Sequence, residues 1–336
     1  MSGPLPTTVL GIVETLAGPL LILVCFAFIL YGIFLAQALY YWTTYENDAF
    51  VIKLWVILAG LFETCHTAMC MYMLYYYFIQ HYGDFENGLN HIVWTAIITL
   101  YCEIGIIAVT QSFYVYRIWH ISGKNQIVTG ILSVILTARI GVGLYTTSST
   151  FQFSTWEQSY LDRSFVVKSN STWGLGVAVD LLITITLLYF LHHTQKLGLR
   201  RTRRIVRKLM HYSITTGGLT VVSSLIVLIT YNTYTRSLLF AGMLEALSKL
   251  YANSMLAMIN ARRIVASSTG GVGSIGASNT IELSQLRAAS ETVKSNMNLR
   301  AIHVSKETSR FADSEITYNS TAQMTFEDKA EELMPV

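Results

Sequence analysis

Seven apolar stretches of roughly 20 residues, separated by polar connectors, constrain this chain more than any other feature of it. A helix rising 1.5 Å per residue crosses the ~30 Å hydrocarbon core of a bilayer in about that length. The stretches run Gly18 to Tyr40, Ile52 to Phe78, Ile92 to Arg117, Ile127 to Thr147, Gly174 to His192, Tyr212 to Tyr231 and Ala241 to Ile259. They predict an all-α membrane protein, a seven-transmembrane helix bundle. Composition agrees: 52% of the 336 residues are hydrophobic and 13% charged, against about 25% charged in a soluble domain. No Lys or Arg precedes Lys53 and no small-residue cleavage site follows a basic start, so the first stretch is expected to persist in the mature chain. Cys25, Cys65, Cys70 and Cys102 all lie inside apolar stretches and read as small packing side chains, not as a disulfide framework.

Basic residues set the expected orientation. With an extracellular N-terminus (residues 1–17), the cytoplasmic connectors and the start of the tail hold Lys53, Arg117, Lys124, Lys196, Arg200, Arg201, Arg203, Arg204, Arg207, Lys208, Arg262 and Arg263, twelve in all. The outer connectors hold Arg163, Lys168 and Arg236, only three, so the positive-inside rule places the C-terminus in the cytoplasm. Asn170-Ser171-Thr172 is an N-glycosylation acceptor in the expected outer loop 148–173 and agrees with that orientation. The transmembrane domain is expected over 18–263. Residues 264–336 turn rich in Ser, Thr and Gly and read as a disordered cytoplasmic tail with many phosphorylatable hydroxyls. The run 196–208 carries seven positive charges and no acid, which suits helical extensions against anionic lipid headgroups, with a cytoplasmic signalling partner as the alternative. Tyrosines 40, 41, 75, 76, 77 and 82, with Trp42, Trp94 and Trp173, read as interfacial belts. No phosphate-binding glycine loop, HExxH helix or GxSxG elbow is present, so neither an enzyme nor a cofactor is expected, and nothing points to nucleic acid.

Charged side chains inside a bilayer cost several kcal/mol and each needs a partner or a function. Seven ionisable residues fall inside the apolar stretches: Glu63, His66, Glu103, Arg139, Asp180, Glu245 and Lys249. Helical rise puts them all at about 15 to 21 Å from the cytoplasmic ends, in one layer. Glu63 with His66 (i, i+3) and Glu245 with Lys249 (i, i+4) each share a helical face. Four carboxylates against Arg139 and Lys249 sum to −2 with His66 neutral, which calls for a proton, a cation or an amine-bearing ligand. The structural alternative pairs Glu245 with Lys249 and Arg139 with Glu103 or Asp180. A metal site is not expected, because one His among scattered carboxylates makes no clustered ligand set. Lys249 midway along the last stretch also raises a retinal Schiff base, against which Glu245 offers a simple ion pair.

The chain resembles a fungal seven-helix membrane family, abundant in basidiomycetes and catalogued as domain of unknown function 6534, over roughly residues 18–263. The resemblance rests on Gly18-Pro19, Tyr31-Gly32-Ile33 with Gln37 and Tyr40-Tyr41, Asp48, Lys53, and the run Gln111 to Trp119 ending at Ser122. It continues through Asp180, Thr216-Gly217-Gly218-Leu219-Thr220, Lys249 to Ala257 and Asn260-Ala261-Arg262. Glu63 stands where the family suggests a shorter carboxylate. The resemblance implies the seven-helix fold and carries no activity. The buried layer and the Ser/Thr-rich tail favour a receptor-like sensor, with the plasma membrane as its expected location. A proton- or cation-coupled transporter and a scaffold with purely structural charges are the alternatives. Prolines only at 4, 6, 19 and 335 leave no broken helix of the kind transporters use.

Overall fold

The computed structural model describes residues 17–82, 84, 88–197, 200–234 and 238–267. Seven long helices stand among them: α1 (Gly18–Thr44), α2 (Phe50–Tyr75, prolonged by a π-helical turn Tyr76–Gln80), α3 (Trp94–Ile121), α4 (Gln126–Thr150), α6 (Arg163–Leu197), α7 (Arg200–Thr233) and α8 (Leu239–Ser267), with a short α5 (Trp156–Leu161) between α4 and α6. No strand occurs among the described residues. Local chemistry explains the starts. Pro19 sits in the first turn of α1, where a missing N–H costs nothing, and the Asn125 side chain accepts from Ile127 N and Val128 N to cap α4. The hairpin before that cap turns on Gly123 and Lys124, both at positive φ.

Consecutive long helices pack side by side and α8 returns against α1, closing a ring, while α3 and α8 touch across its middle. Six helices are long and apolar enough to cross a membrane: α1, α2 with its π turn, α3, α4, α6 up to Thr194, and α7 from Tyr212. Their outward faces are greasy: Ile22 is 69% exposed, Val134 70% and Ile185 61%. The interior holds Glu63, Lys249, Thr99, Thr110 and Ser248 at 2% exposure or less. A water-soluble protein distributes residues the other way, so a bilayer is the solvent this surface fits. The seventh long helix, α8, falls outside the apolar set because it carries Glu245, Lys249, Asn253 and Asn260, yet it is walled in on several sides and those residues are buried or partly buried.

Three expectations need correction. The outer loop expected at 148–173 is largely helical: α4 runs to Thr150 and α6 begins at Arg163, eleven residues before Gly174. Hydropathy marks where a helix meets lipid, not where it starts. Asn170 therefore lies on α6, its side-chain amide paired reciprocally with that of Asn232 on α7 (3.0 and 2.7 Å). Tyr41 and Tyr77 are buried rather than interfacial, whereas Tyr40, Tyr75, Tyr82, Trp42 and Trp94 are exposed. Of the cysteines, Cys70 and Cys102 are buried but Cys25 and Cys65 face outward. The N-terminal residues 1–16, the tail from 268 and the side chains of Lys196, Arg200, Arg201, Arg203, Arg204, Arg207 and Lys208 lie outside the described residues.

The end of the bundle carrying α5 is closed by hydrogen bonds between two connectors. Ile92 N donates to Ser154 O (3.0 Å), Trp156 N to Asn90 O (2.8 Å) and Glu157 N to the Asn90 side chain (3.0 Å). At the opposite end, Arg262 of α8 grips Asp48 in the α1–α2 connector (2.5 and 3.4 Å) and lies over the Tyr45 ring. Asp48 also accepts from Tyr41 (3.1 Å). Asn253 and Asn260 bind Gln37 and the α1 backbone, so α1 and α8 are joined along their length.

Candidate functional site

The seven ionisable residues of the interior separate into two networks and one side chain that belongs to neither. Lys249 on α8 points at α2, where its ammonium donates to Glu63 Oε2 (2.5 Å), Thr67 Oγ1 (2.8 Å) and His66 Nδ1 (3.0 Å), with the Glu63 carbonyl oxygen a longer fourth acceptor at 3.4 Å. The Tyr31 ring face lies 5.4 Å from the same nitrogen. Lys249 thus pairs across helices with Glu63, not along α8 with Glu245. The i, i+4 spacing allowed the local pair, but α8 turns Lys249 toward α2. Because Nδ1 of His66 accepts from Lys249, the ring proton of neutral His66 resides on Nε2, which faces Glu245 Oε2 at 3.2 Å. Glu245 receives two further donors, Cys70 Sγ (2.6 Å) and Thr99 Oγ1 (3.0 Å). One donor atom each from His66, Cys70 and Glu245 lie within 4.8 Å of one another, and all three residues are buried.

The second network gathers five helices on one carboxylate. Asp180 of α6 accepts from Gln111 of α3 (2.6 Å), Arg139 of α4 (3.1 Å), Ser224 of α7 (3.0 Å) and the Tyr251 hydroxyl of α8. Arg139 also donates to Tyr251 (3.2 Å). Gly176 makes room: a Cβ there would come within 3.1 Å of the guanidinium. In a medium without water this amounts to a bundle-wide tie, in which the Asp180 carboxylate is satisfied by donors from four neighbouring helices.

Glu103 of α3 is the odd member. It is 4% exposed and its Oε1 has no hydrogen-bond partner. It lines a cavity of about 100 Å³ beneath the closed α5 end. Glu245 and Arg139 share the floor, and both are committed elsewhere, to the Cys70, His66 and Thr99 donors and to Asp180 respectively. Overhead the walls are aromatic: Trp156, Tyr160, Tyr231 and Phe240 stand with centroids 5.4 to 6.0 Å apart. Burial, followed by the neighbouring Tyr231, pushes the Tyr160 phenol up from its ordinary value. A second, much smaller cavity of about 20 Å³ is lined by Asp180 and Tyr251 with Gln111, Tyr114 and Ser213.

Residues outside the seven interior ionisable groups complete both networks. Thr67, Cys70 and Thr99 serve the first, Gln111, Ser224 and Tyr251 the second. Cys70 and Thr67 stand at i+4 from His66 and Glu63, a spacing visible in the sequence; the others are ordinary helix residues whose role comes from how each helix is rotated.

Residues 176–264, which take in most of α6, all of α7 and most of α8, match the family model described as a family of unknown function (DUF6534). Neither a curated protein nor a solved structure matches the chain. The matched segment contains Glu245 and Lys249 of the first network and Asp180, Ser224 and Tyr251 of the second.

Proposed function

We propose that this chain is a receptor-like sensor, threaded through the membrane seven times with its N-terminus outside, whose cavity takes a small amine with an apolar body. Glu103 carries the reading: a buried carboxyl oxygen without a partner, opening into a cavity walled by aromatic rings. A carboxylate under π faces suits an ammonium group, which both attract, while the aromatic walls suit an apolar body. Arg139 does not spoil the site, since its charge is held by Asp180. The 29 residues of α8 extend about 43 Å, enough to cross a bilayer, and counting it as a span brings the total to seven. Twelve basic residues toward one face and three toward the other support the orientation. The cavity then lies in the outer half, as suits a plasma-membrane sensor, and the polar contacts of α8 with α1 and α2 reach toward the cytoplasmic face. Asn170 is then on the outer side, within reach of glycosylation before α6 and α7 pack.

Titration calorimetry on the purified full chain, with phenethylamine and its N,N,N-trimethyl derivative as probes, tests the reading. Saturable binding that falls tenfold or more in Glu103→Gln, about 1.4 kcal/mol, is the expected result. Binding of neither probe, or equal binding of the uncharged 2-phenylethanol, overturns it. A second reading has one observation in its favour. The larger cavity reaches Arg139 and the smaller one Asp180 and Tyr251, so the Arg139–Asp180–Tyr251 network joins the two cavities, as the barrier of a cation-coupled transporter would. Amine uptake into proteoliposomes that collapses in Asp180→Asn would rank transport above sensing.

A further inference from the structure

Among the interior groups, His66, Cys70 and Glu245 combine three different donor types in one buried spot, and neither the ion pairing nor the cavity uses the thiol. His66 and Cys70 are one turn apart on α2, so their side chains share a face, and α8 brings Glu245 over them. The sulfur is 2.6 Å and the imidazole Nε2 3.2 Å from the same carboxylate oxygen. We propose that His66, Cys70 and Glu245 form a metal site for a zinc-class divalent cation, with a fourth position left to an exogenous ligand.

Donor chemistry selects the ion: thiolate and imidazole favour zinc over magnesium or calcium, which require several oxygen ligands. Bond lengths of about 2.0 to 2.3 Å in a tetrahedral shell put ligand atoms roughly 3.3 to 3.8 Å apart. The two separations from the Glu245 oxygen are shorter, 2.6 and 3.2 Å, and all three donor atoms lie within 4.8 Å of one another, so side-chain shifts of about 1 Å would admit the ion. Charge also closes. A dication with one thiolate and one carboxylate sums to zero, and Lys249 with Glu63 sums to zero beside it. Such neutrality is what a low-dielectric interior demands. The protons balance as follows: Cys70 releases its thiol proton to solvent, Nε2 of His66 gives up its hydrogen to the metal bond, and the ring takes that proton at Nδ1. Nδ1 then no longer accepts from Lys249, whose ammonium keeps Glu63 and Thr67. Metal binding would therefore remove the Lys249–His66 contact between α8 and α2, a coupling independent of whether the cavity takes an amine.

Cobalt(II) titration of the metal-free full chain in detergent is the test, because the chain has eight histidines and four cysteines and bulk zinc content would not single out this place. One equivalent of Co²⁺ should raise a thiolate-to-cobalt charge-transfer absorption, reversed by added zinc. It should persist when Cys25, Cys65 and Cys102 are all replaced by Ser, and disappear in Cys70→Ser, which retains a hydroxyl to donate to Glu245. Should Cys70→Ser fail to fold, Glu245→Gln carries the same expectation, a tenfold or greater loss of cobalt affinity. No thiolate absorption in folded wild-type protein, or unchanged absorption in folded Cys70→Ser, overturns the proposal. Amine binding through Glu103 stands or falls separately in the calorimetric test.

Discussion

Replacing Lys249 with methionine keeps an unbranched side chain of similar length but removes the ammonium from a place of 0% exposure. The carboxylate of Glu63, also fully buried, then loses the one countercharge within hydrogen-bond reach among the described residues. Breaking a buried pair by removing one partner costs about 3 to 5 kcal/mol, which for a domain of this size lowers the unfolding midpoint by roughly 10 °C. The informative step is the second substitution. If Lys249 is paired with Glu63, as its 2.5 Å contact indicates, then adding Glu63→Gln to Lys249→Met should recover about 2 kcal/mol or more, because no uncompensated charge remains. Adding Glu245→Gln instead should recover nothing, since the donors to Glu245 are Cys70, His66 and Thr99. Midpoints measured by intrinsic fluorescence for wild type, the three single variants and the two double variants complete both cycles. Recovery with Glu245→Gln and none with Glu63→Gln would refute the cross-helix pairing and restore the local i, i+4 pair.

Tyr251→Phe deletes one hydroxyl that bonds to Asp180, Arg139 and Ser224, so stability should drop by about 1.5 to 3 kcal/mol in the same assay. Gly176→Ala places a methyl group 3.1 Å from the Arg139 guanidinium and should cost about 1 to 3 kcal/mol, a loss that Gly174→Ala, with open space around it, should not reproduce. Val134→Arg puts a charge at a residue of α4 that is 70% exposed and would be harmless in water; in a bilayer it should cost about 2.5 to 3.5 kcal/mol and reduce insertion of α4 into microsomes.

The apolar stretches gave the helices because a run of that length has one physical solution in lipid, with all backbone groups paired inside the segment. The same signal could not mark where α6 begins, since residues 163–173 are polar enough to lie outside hydrocarbon and are helical all the same. The interior ions were legible for a related reason: a charge among apolar neighbours stands out. Their partners were not. Spacing along one helix favoured Glu245 with Lys249, but the choice between Glu63 and Glu245 depends on the rotation of α8 about its axis, which no local pattern encodes. Cys70 shows the same limit from the other side. As a small residue in an apolar stretch it read as filling, and only the approach of α8 turns it into a neighbour of a carboxylate. α8 itself read as a span because its apolar residues dominate, and its Glu245, Lys249, Asn253 and Asn260 make sense once α1, α2 and α7 pack against it.

Epitope accessibility at the two ends tests the seven-pass bundle most directly. With different tags at Met1 and Val336, the first should be reached by antibody on intact cells and the second only after permeabilisation. Both tags reached from the same side would mean an even number of crossings and would contradict the account.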